Sequence, residues 1–367
     1  MADVKRETMT TELAAVDRCL ATAECDPLAA AKVRALVTGY HEHWKSSPYQ
    51  VLTVEETFQL PIVNPETGRS SRTFVQGGRF DLMVEFDRRT WMVEHKSASE
   101  QIDDPAAPYW KRLAIDQQVS MYALSNWQSG RKLDGTIYDV IRKPTIRPKQ
   151  ITKADVKILL ADHLYCGFDV TDGEVAVSAA IDYRETPYLY GLRLLRDCLD
   201  DAAKYYQRRP IPRLDNEILE WAKELWQVAQ DIRKTQASGG HYRNSGACMM
   251  WGRPCDFLGI CSGYDTPDSD KWKKRDNAHP EVSFGSDTLT HSRIRCYQTC
   301  KRMHHYKYDL QLERVDEETA EALTFGRLLH EALEVYYLSL KERQQNGNCN
   351  ATPAVNEAAG STQTVAF

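Results

Sequence analysis

With 367 residues, 42% of them apolar, the chain is long enough for one large or two ordinary domains around a substantial core. A net charge of −5 excludes general electrostatic attraction to nucleic acid, so any such binding must rest on local basic patches. No apolar run is long enough to span a membrane, and the start, Met1 to Thr10, lacks a signal-peptide core. The ten cysteines are therefore expected as reduced thiols in the cytoplasm, not as a disulfide framework.

Hydrophobic periodicity predicts a helix over Leu28 to Trp44 and a strand over Gln50 to Leu60. Glu55 and Glu56, ahead of Phe58, read as solvated or structural. Arg79 to Phe86 and Thr90 to Lys96 both alternate, and Asp87-Arg88-Arg89 between them reads as a turn. With Arg88-Arg89 as a two-residue loop, Phe86 faces Trp91 and Asp81 faces Lys96, which puts Asp81, Glu94 and Lys96 on one face. A slip of one residue would send Asp81 to the other face. Two carboxylates hold a hard divalent cation and an ammonium offsets developing charge, so this trio suits metal-assisted cleavage of a phosphodiester. The bland alternative is a hairpin with surface charges.

A helix over Tyr109 to Gln128 places Gln118 and Tyr122 one turn apart, and a strand follows over Gly135 to Ile141. Further helices are predicted over about 187–207, 214–236, 292–309 and 321–343. The alternation predicts the α/β class, a small mixed sheet flanked by helices with added helical regions. Three basic stretches stand out: Arg142 to Lys149, Lys271 to Arg275 and Lys301 to Lys307. The last two carry aromatics able to stack on unpaired bases, and the third is the one expected to contact DNA.

Cys248, Cys255 and Cys261 lie in a Gly-, Pro- and aromatic-containing stretch whose irregular backbone lets thiolates converge. Structural zinc and iron–sulfur centres usually take four ligands. Cys300 and Cys296 compete for the fourth place, with Cys19 and Cys25 as weaker candidates. Cys166, Cys198 and Cys349 read as plain buried or tail thiols. Spacing alone does not separate zinc from iron–sulfur.

Gly78-x-x-Asp81, Glu94-x-Lys96 and Gln118-x-x-x-Tyr122, in this order and spacing, resemble the PD-(D/E)XK nucleases of the RecB type. That group includes the nuclease domains of AddB and the CRISPR-adaptation exonucleases. The resemblance implies a restriction-endonuclease-like fold in which Asp81, Glu94 and the backbone carbonyl of His95 bind Mg²⁺ or Mn²⁺. Lys96 would be the catalytic lysine, with Gln118 and Tyr122 steadying the site and the DNA strand. A subgroup carries a cluster on three late cysteines and one early one in a Tyr-x-x-Cys context. Tyr297-Gln298-Thr299-Cys300 matches that context, although Lys301 stands where the family often has Pro. On this likeness the ligands are Cys248, Cys255, Cys261 and Cys300, and the group is a [4Fe-4S] cluster, with zinc as the alternative.

Ser292 to Tyr308 and Phe325 to Tyr337 resemble segments that open the family's domain, yet here they come last. Gly326-x-x-x-His330 would supply a metal-ligating histidine, which makes a site friendlier to manganese. Gly326 would allow close backbone approach. The competing reading of His330 is a packing residue beside Leu328, Leu329 and Leu333. The order reads as a circular permutation: nuclease core 1–265, linker 266–290, permuted segment 291–343 and disordered tail 344–367. Fully stretched, the linker reaches on the order of 90 Å. A truncated second copy, or a segment swapped to a neighbouring subunit, are the rivals. The expected function is a metal-dependent DNA nuclease, an exonuclease on single strands or duplex ends, with a helicase or recombination partner and no membrane. The alternatives are a non-catalytic cluster-containing DNA-binding or assembly subunit, and a zinc protein with no nuclease role.

Overall fold

Helices α1 (Thr11–Thr22) and α2 (Pro27–Trp44) begin on side-chain caps, Thr10 and Asp26, and Pro27 sits in the first turn where no N–H is needed. The computed structural model describes residues 10–275, 287–315 and 321–349, with backbone only at 251, 321–323 and 347–349. Strands β1 (Gln50–Val63), β2 (Ser70–Phe86) and β3 (Arg89–Ala98) follow, then α3 (Pro108–Leu113), α4 (Gln117–Gln128) and β4 (Gly135–Arg142). Next come α5 (Lys153–Asp162), the short β5 (Leu164–Tyr165) and β6 (Phe168–Asp169), α6 (Asp172–Ala180), α7 (Pro187–Asp200) and α8 (Ala202–Tyr205). The rest comprises β7 (Tyr206–Ile211), α9 (Asp215–Ser238), α10 (Leu258–Ser262), β8 (Trp272–Lys274), β9 (Asp287–Leu289), α11 (His291–Thr299), α12 (Lys301–His304), β10 (Leu312–Arg314) and α13 (Glu321–Cys349).

The central sheet has the order β1-β2-β3-β4-β7, and β9 joins the first half of β2. The pairs β1–β2, β2–β3 and β4–β7 are antiparallel, while β3–β4 and β2–β9 are parallel. One face is covered by α2, α7 and α13, whose Leu36, Tyr40, Leu194, Leu329 and Tyr336 pack on Leu82, Val93 and Ile137. The other face carries α3, α4 and α9, with Trp110, Val119 and Tyr122 on Met83, Met92 and Val140, and Met121 against Trp221 and Leu225. Burying each such side chain contributes about 1.5–3 kcal/mol. A mixed sheet with helices on both faces is the α/β arrangement of a restriction-endonuclease-like fold.

Several elements depart from expectation. The β2–β3 turn is Asp87-Arg88, not Arg88-Arg89: Phe86 pairs with Arg89 and Val84 with Trp91, and Asp87 and Arg88 have φ of 51° and 57°. That left-handed pair matches the twist of a two-residue hairpin loop. The expected helix over 109–128 breaks after Leu113, because Asp116 Oδ1 caps a fresh start by accepting from Gln118 N at 2.8 Å and Val119 N at 3.4 Å. The helix expected to 207 ends at Asp200, the short α8 follows to Tyr205, and Tyr206 opens the edge strand β7. The helix expected over 292–309 is interrupted at Cys300 and ends in a π turn, His305–Asp309. Within the expected linker, Trp272–Lys274 pairs with β10 and Asp287–Leu289 with β2, while 276–286 lie outside the described residues. α13 runs past residue 343, where Gln344 accepts from Val51 N at 2.9 Å. Of the expected tail, 350–367 lie outside the described residues.

Candidate active site

The site forms where β2 and β3 part. Their ladder ends at Leu82–Val93, and the same register extended by one pair sets Asp81 opposite Glu94. There the Asp81 carboxylate takes over from the backbone, accepting from His95 N at 2.8 Å. Gly78 explains the start of its motif: a Cβ there would meet the Phe58 ring at 2.9 Å and the Tyr122 ring at 3.1 Å. The ring of Tyr122 also packs edge-on against Phe80 at 5.1 Å. The glycine thus lets α4 close down on β2.

Lys96, two residues beyond Glu94, donates from Nζ to Glu94 Oε1 at 2.5 Å and to Gln118 Oε1 at 2.8 Å. The Gln118 amide continues the chain, its Nε2 donating to Tyr122 Oη at 3.0 Å. α4 therefore fixes the lysine from one side and the strand from the other. Burial and the neighbouring Asp81 push Glu94 up to about 7, and burial also raises Asp81. Burial opposes the charge on Lys96, but Glu94 and Asp81 outweigh it and push the ammonium up to about 12. Glu94 Oε2 is buried without a hydrogen-bond partner. Crowded acids with an orphaned carboxylate oxygen are chemically suited to a cation.

α13 returns from the far end of the chain. Phe325, Leu328, Leu329, Ala332, Leu333, Tyr336 and Tyr337 form its buried stripe, and His330 stands at the edge of it. His330 Nδ1 lies 4.0 Å from Asp81 Oδ2, and burial lowers its pKa. Two turns on, Tyr337 stacks on the buried His95 ring at 5.3 Å. The His95 ring thus packs in the core with Nδ1 3.6 Å from Asp139 Oδ2, while its backbone N–H serves Asp81. Gly326 is not required by packing: a Cβ there would sit 3.8 Å from Ser97 Oγ, an ordinary contact.

Glu55, expected as a solvated or structural residue, belongs to the same acidic group. Glu56 pairs with Phe80, so Glu55 falls opposite Asp81, and it adopts a left-handed φ of 51°. Burial and Asp81 raise it to about 8, even with Arg79 Nε at 2.6 Å. Glu334, one turn beyond His330, adds to the field that raises it.

A second constellation lies beyond α9. Cys248, Cys255, Cys261 and Cys300 line one cavity with Phe257, Leu258 and Met303. Cys255 N donates to Cys248 O at 2.8 Å, and Asn244 N donates to Cys300 Sγ at 3.5 Å. Cys296 lies outside that cavity, on a neighbouring groove of about 570 Å³. Cys19 and Cys25 sit beside Glu331 of α13, and Cys198 is buried beside Tyr206. The side chain of Cys349 lies outside the described residues.

The groove runs from Gln118 to Cys255 and is lined by Arg253, His291, Arg295, Lys307 and Tyr308. Of the basic stretches, 301–307 contributes Lys307 and Met303 to it. In the stretch 271–275, Trp272 is used internally, stacked on Phe257 at 5.1 Å and bonded to Asp265, and Lys274 Nζ donates to Leu310 O at 2.8 Å. Its ring is thus taken, and base stacking there is not what the structure offers.

Residues 288–363 match the family model of the PD-(D/E)XK nuclease superfamily. No curated protein and no solved structure matches the chain. No helix among the described residues is long and apolar enough to cross a membrane. The matched segment contains α11, α12 and α13, and it is similar to a superfamily of nucleases that generally use Mg²⁺ or Mn²⁺; with the fold, this supports a metal-dependent nuclease in general.

Proposed function

We propose that the chain is a deoxyribonuclease of the RecB/AddB type, an exonuclease acting on single-stranded DNA or duplex ends. The observation that carries this reading is the meeting of Asp81, Glu94 and Lys96 with His330 from the opposite end of the chain. Asp81, Glu94, His330 and the His95 carbonyl would hold Mg²⁺ or Mn²⁺, which when bound supplies a water acidic enough to attack phosphorus. Lys96, held by Glu94 and Gln118, orients that water and offsets charge on the phosphate in flight. Gln118 and Tyr122 keep the ammonium in place. The basic groove leading away from Gln118 is where a single strand would lie, with Arg253, Arg295 and Lys307 on its phosphates. A helicase or recombination partner that delivers such strands belongs to the same proposal.

Cys248, Cys255, Cys261 and Cys300 would hold a [4Fe-4S] cluster. Zinc is the alternative. The role of either group would be to tie the segment at Cys300 to the loop at Cys248. That arrangement also supports a circularly permuted single domain, with 291–343 completing the core formed by 1–265.

The test is cleavage of end-labelled single- and double-stranded DNA with Mn²⁺, Mg²⁺ or chelator. Lys96→Ala is expected to lose about 10²–10³-fold in rate, as for removal of one preorganised charge stabiliser, while binding DNA and keeping its cysteine-bound metal. Full activity in that variant would remove Lys96 from the mechanism. Ladders growing from one labelled end identify an exonuclease, and internal cuts of a circle would refute that part.

A further inference from the structure

Outside both constellations, His241, His305 and Asp309 bring their ligating atoms within 4.8 Å of one another, the one such group among the described residues. His241 lies in the loop leaving α9, whose last helical residue is Ser238. His305 and Asp309 begin and end the π turn that follows α12. Single π turns inside helices occur often at functional sites, because the wider ring re-aims side chains. Here it places an imidazole and a carboxylate toward the same point.

Two features make this a prepared site. Asp309 is held on two sides, by Gln236 Nε2 donating to Oδ1 at 2.8 Å and by His305 Nδ1 at 3.1 Å from Oδ2. Metal ligands are oriented by outer hydrogen bonds of this kind. His241 Nδ1 is buried with no hydrogen-bond partner. A buried ring nitrogen in that condition calls for a partner the protein itself does not supply.

We infer that these three residues bind one borderline divalent ion, Zn²⁺ being the best match to a two-histidine, one-carboxylate set. Metal–ligand bonds of about 2.0–2.2 Å would draw the three atoms inward by side-chain rotation and leave a fourth position open to water. The ion clamps the loop at 239–244 onto the segment after Cys300. Arg302 Nε already donates to His241 O at 2.6 Å across that seam, and Asn244, in the same loop, donates to Cys300 Sγ. The clamp thus orders one wall of the cysteine cavity without sharing a ligand with it.

The experiment uses full-length protein prepared anaerobically, with Asp81→Asn in all samples to silence the acidic site. One equivalent of Zn²⁺ is added and unbound metal is removed by gel filtration over a weak chelator. Retention of one zinc is expected, with an X-ray absorption first shell of nitrogen and oxygen alone. His241→Ala, His305→Ala and Asp309→Asn should each weaken Zn²⁺ at least tenfold, with metal at the cysteines unchanged. Gln236→Leu, which spares every ligand, should weaken it about tenfold or more and serves where a ligand variant fails to fold. Sulfur in the zinc shell, zinc loss that tracks Cys255→Ser, or undiminished retention in the Gln236 and histidine variants would each overturn the assignment.

Discussion

The amide of Gln118 has a donor end and an acceptor end, and the site uses both. Its oxygen takes Lys96 and its nitrogen serves Tyr122, so no isosteric apolar side chain can replace it. Gln118→Leu frees the Lys96 ammonium to swing, and the expected result is a 10–100-fold slower single-turnover cleavage with the fold retained. Glu55 is informative through pH. Its folded pKa of about 8 and that of Glu94, about 7, exceed the unfolded value, so between pH 6.5 and 8 the folded state releases protons that the unfolded state has already lost. Their contribution to stability therefore falls as pH rises through that window, by at most about 1.4 kcal/mol per pH unit for each proton. Buried histidines such as His95, driven down to about 4, oppose this near pH 6.5, where the unfolded ring is half protonated, and that opposing slope fades about one pH unit higher. Thermal melts in chelator should therefore show the midpoint dropping above about pH 7.5, where Glu55 dominates, and Glu55→Gln should flatten the drop. An unchanged slope in that variant would mean Glu55 ionises normally.

At the level of elements, α13 is held to the sheet by a buried polar cluster as well as by its apolar stripe. Arg208 of β7 donates from Nε to Asp139 Oδ2 at 2.9 Å and from Nη2 to Tyr40 Oη at 2.7 Å and Tyr337 Oη at 2.9 Å. Tyr40 also bonds Asp139, so α2, β4, β7 and α13 meet at one point. Asp139 is 0% exposed, and Arg208→Met would strand its charge, with an expected loss of about 3–5 kcal/mol in urea unfolding. Asp139→Leu combined with Arg208→Met should recover most of that loss; a double variant as weak as the single one would refute the stranded-charge account. Legibility in the sequence followed the same physics. Asp81, Glu94 and Lys96 were readable because the hairpin register was off by two residues, and a shift of two leaves every side chain on its face. Glu55 was not, because a register shift between Val51 and Thr53 and its own left-handed φ set its place, and neither has a sequence signal. β7 was hidden because the helical pattern of α7 runs into Tyr205-Tyr206, and Tyr206 is turned into strand by tertiary contacts, its hydroxyl donating to Leu36 O at 2.8 Å. The break at Asp116 was visible in principle as an N-cap ahead of Gln117, but the apolar period carried across it.

For the whole molecule, the decisive relation is between chain order and spatial order. α13, the last described element, lies against α1, α2 and β1, the first ones, and β9 inserts beside β2. If residues 291–343 complete the core formed by 1–265, the covalent path through 276–286 is dispensable, because noncovalent contacts fix the geometry on both sides of it. A chain that starts at residue 287, runs through α13, continues by a flexible linker into Thr10 and ends at residue 275 places the elements in the order of the resembled family. That permutant is expected to be soluble, to retain metal at the cysteines, and to keep cleavage within about tenfold of the parent. The expectation follows from packing: domains with neighbouring ends tolerate such rewiring. The rival in which 291–343 serves a second subunit makes a different prediction, since a linker sized for one chain would then force a dimer. Light scattering separates the two, and a monomeric permutant with an intact cysteine centre excludes the swap. A permutant that folds only as a dimer, or loses both Cys300 and His330 from their sites, would end the single-domain reading while leaving the acidic hairpin of β2 and β3 unexplained by it.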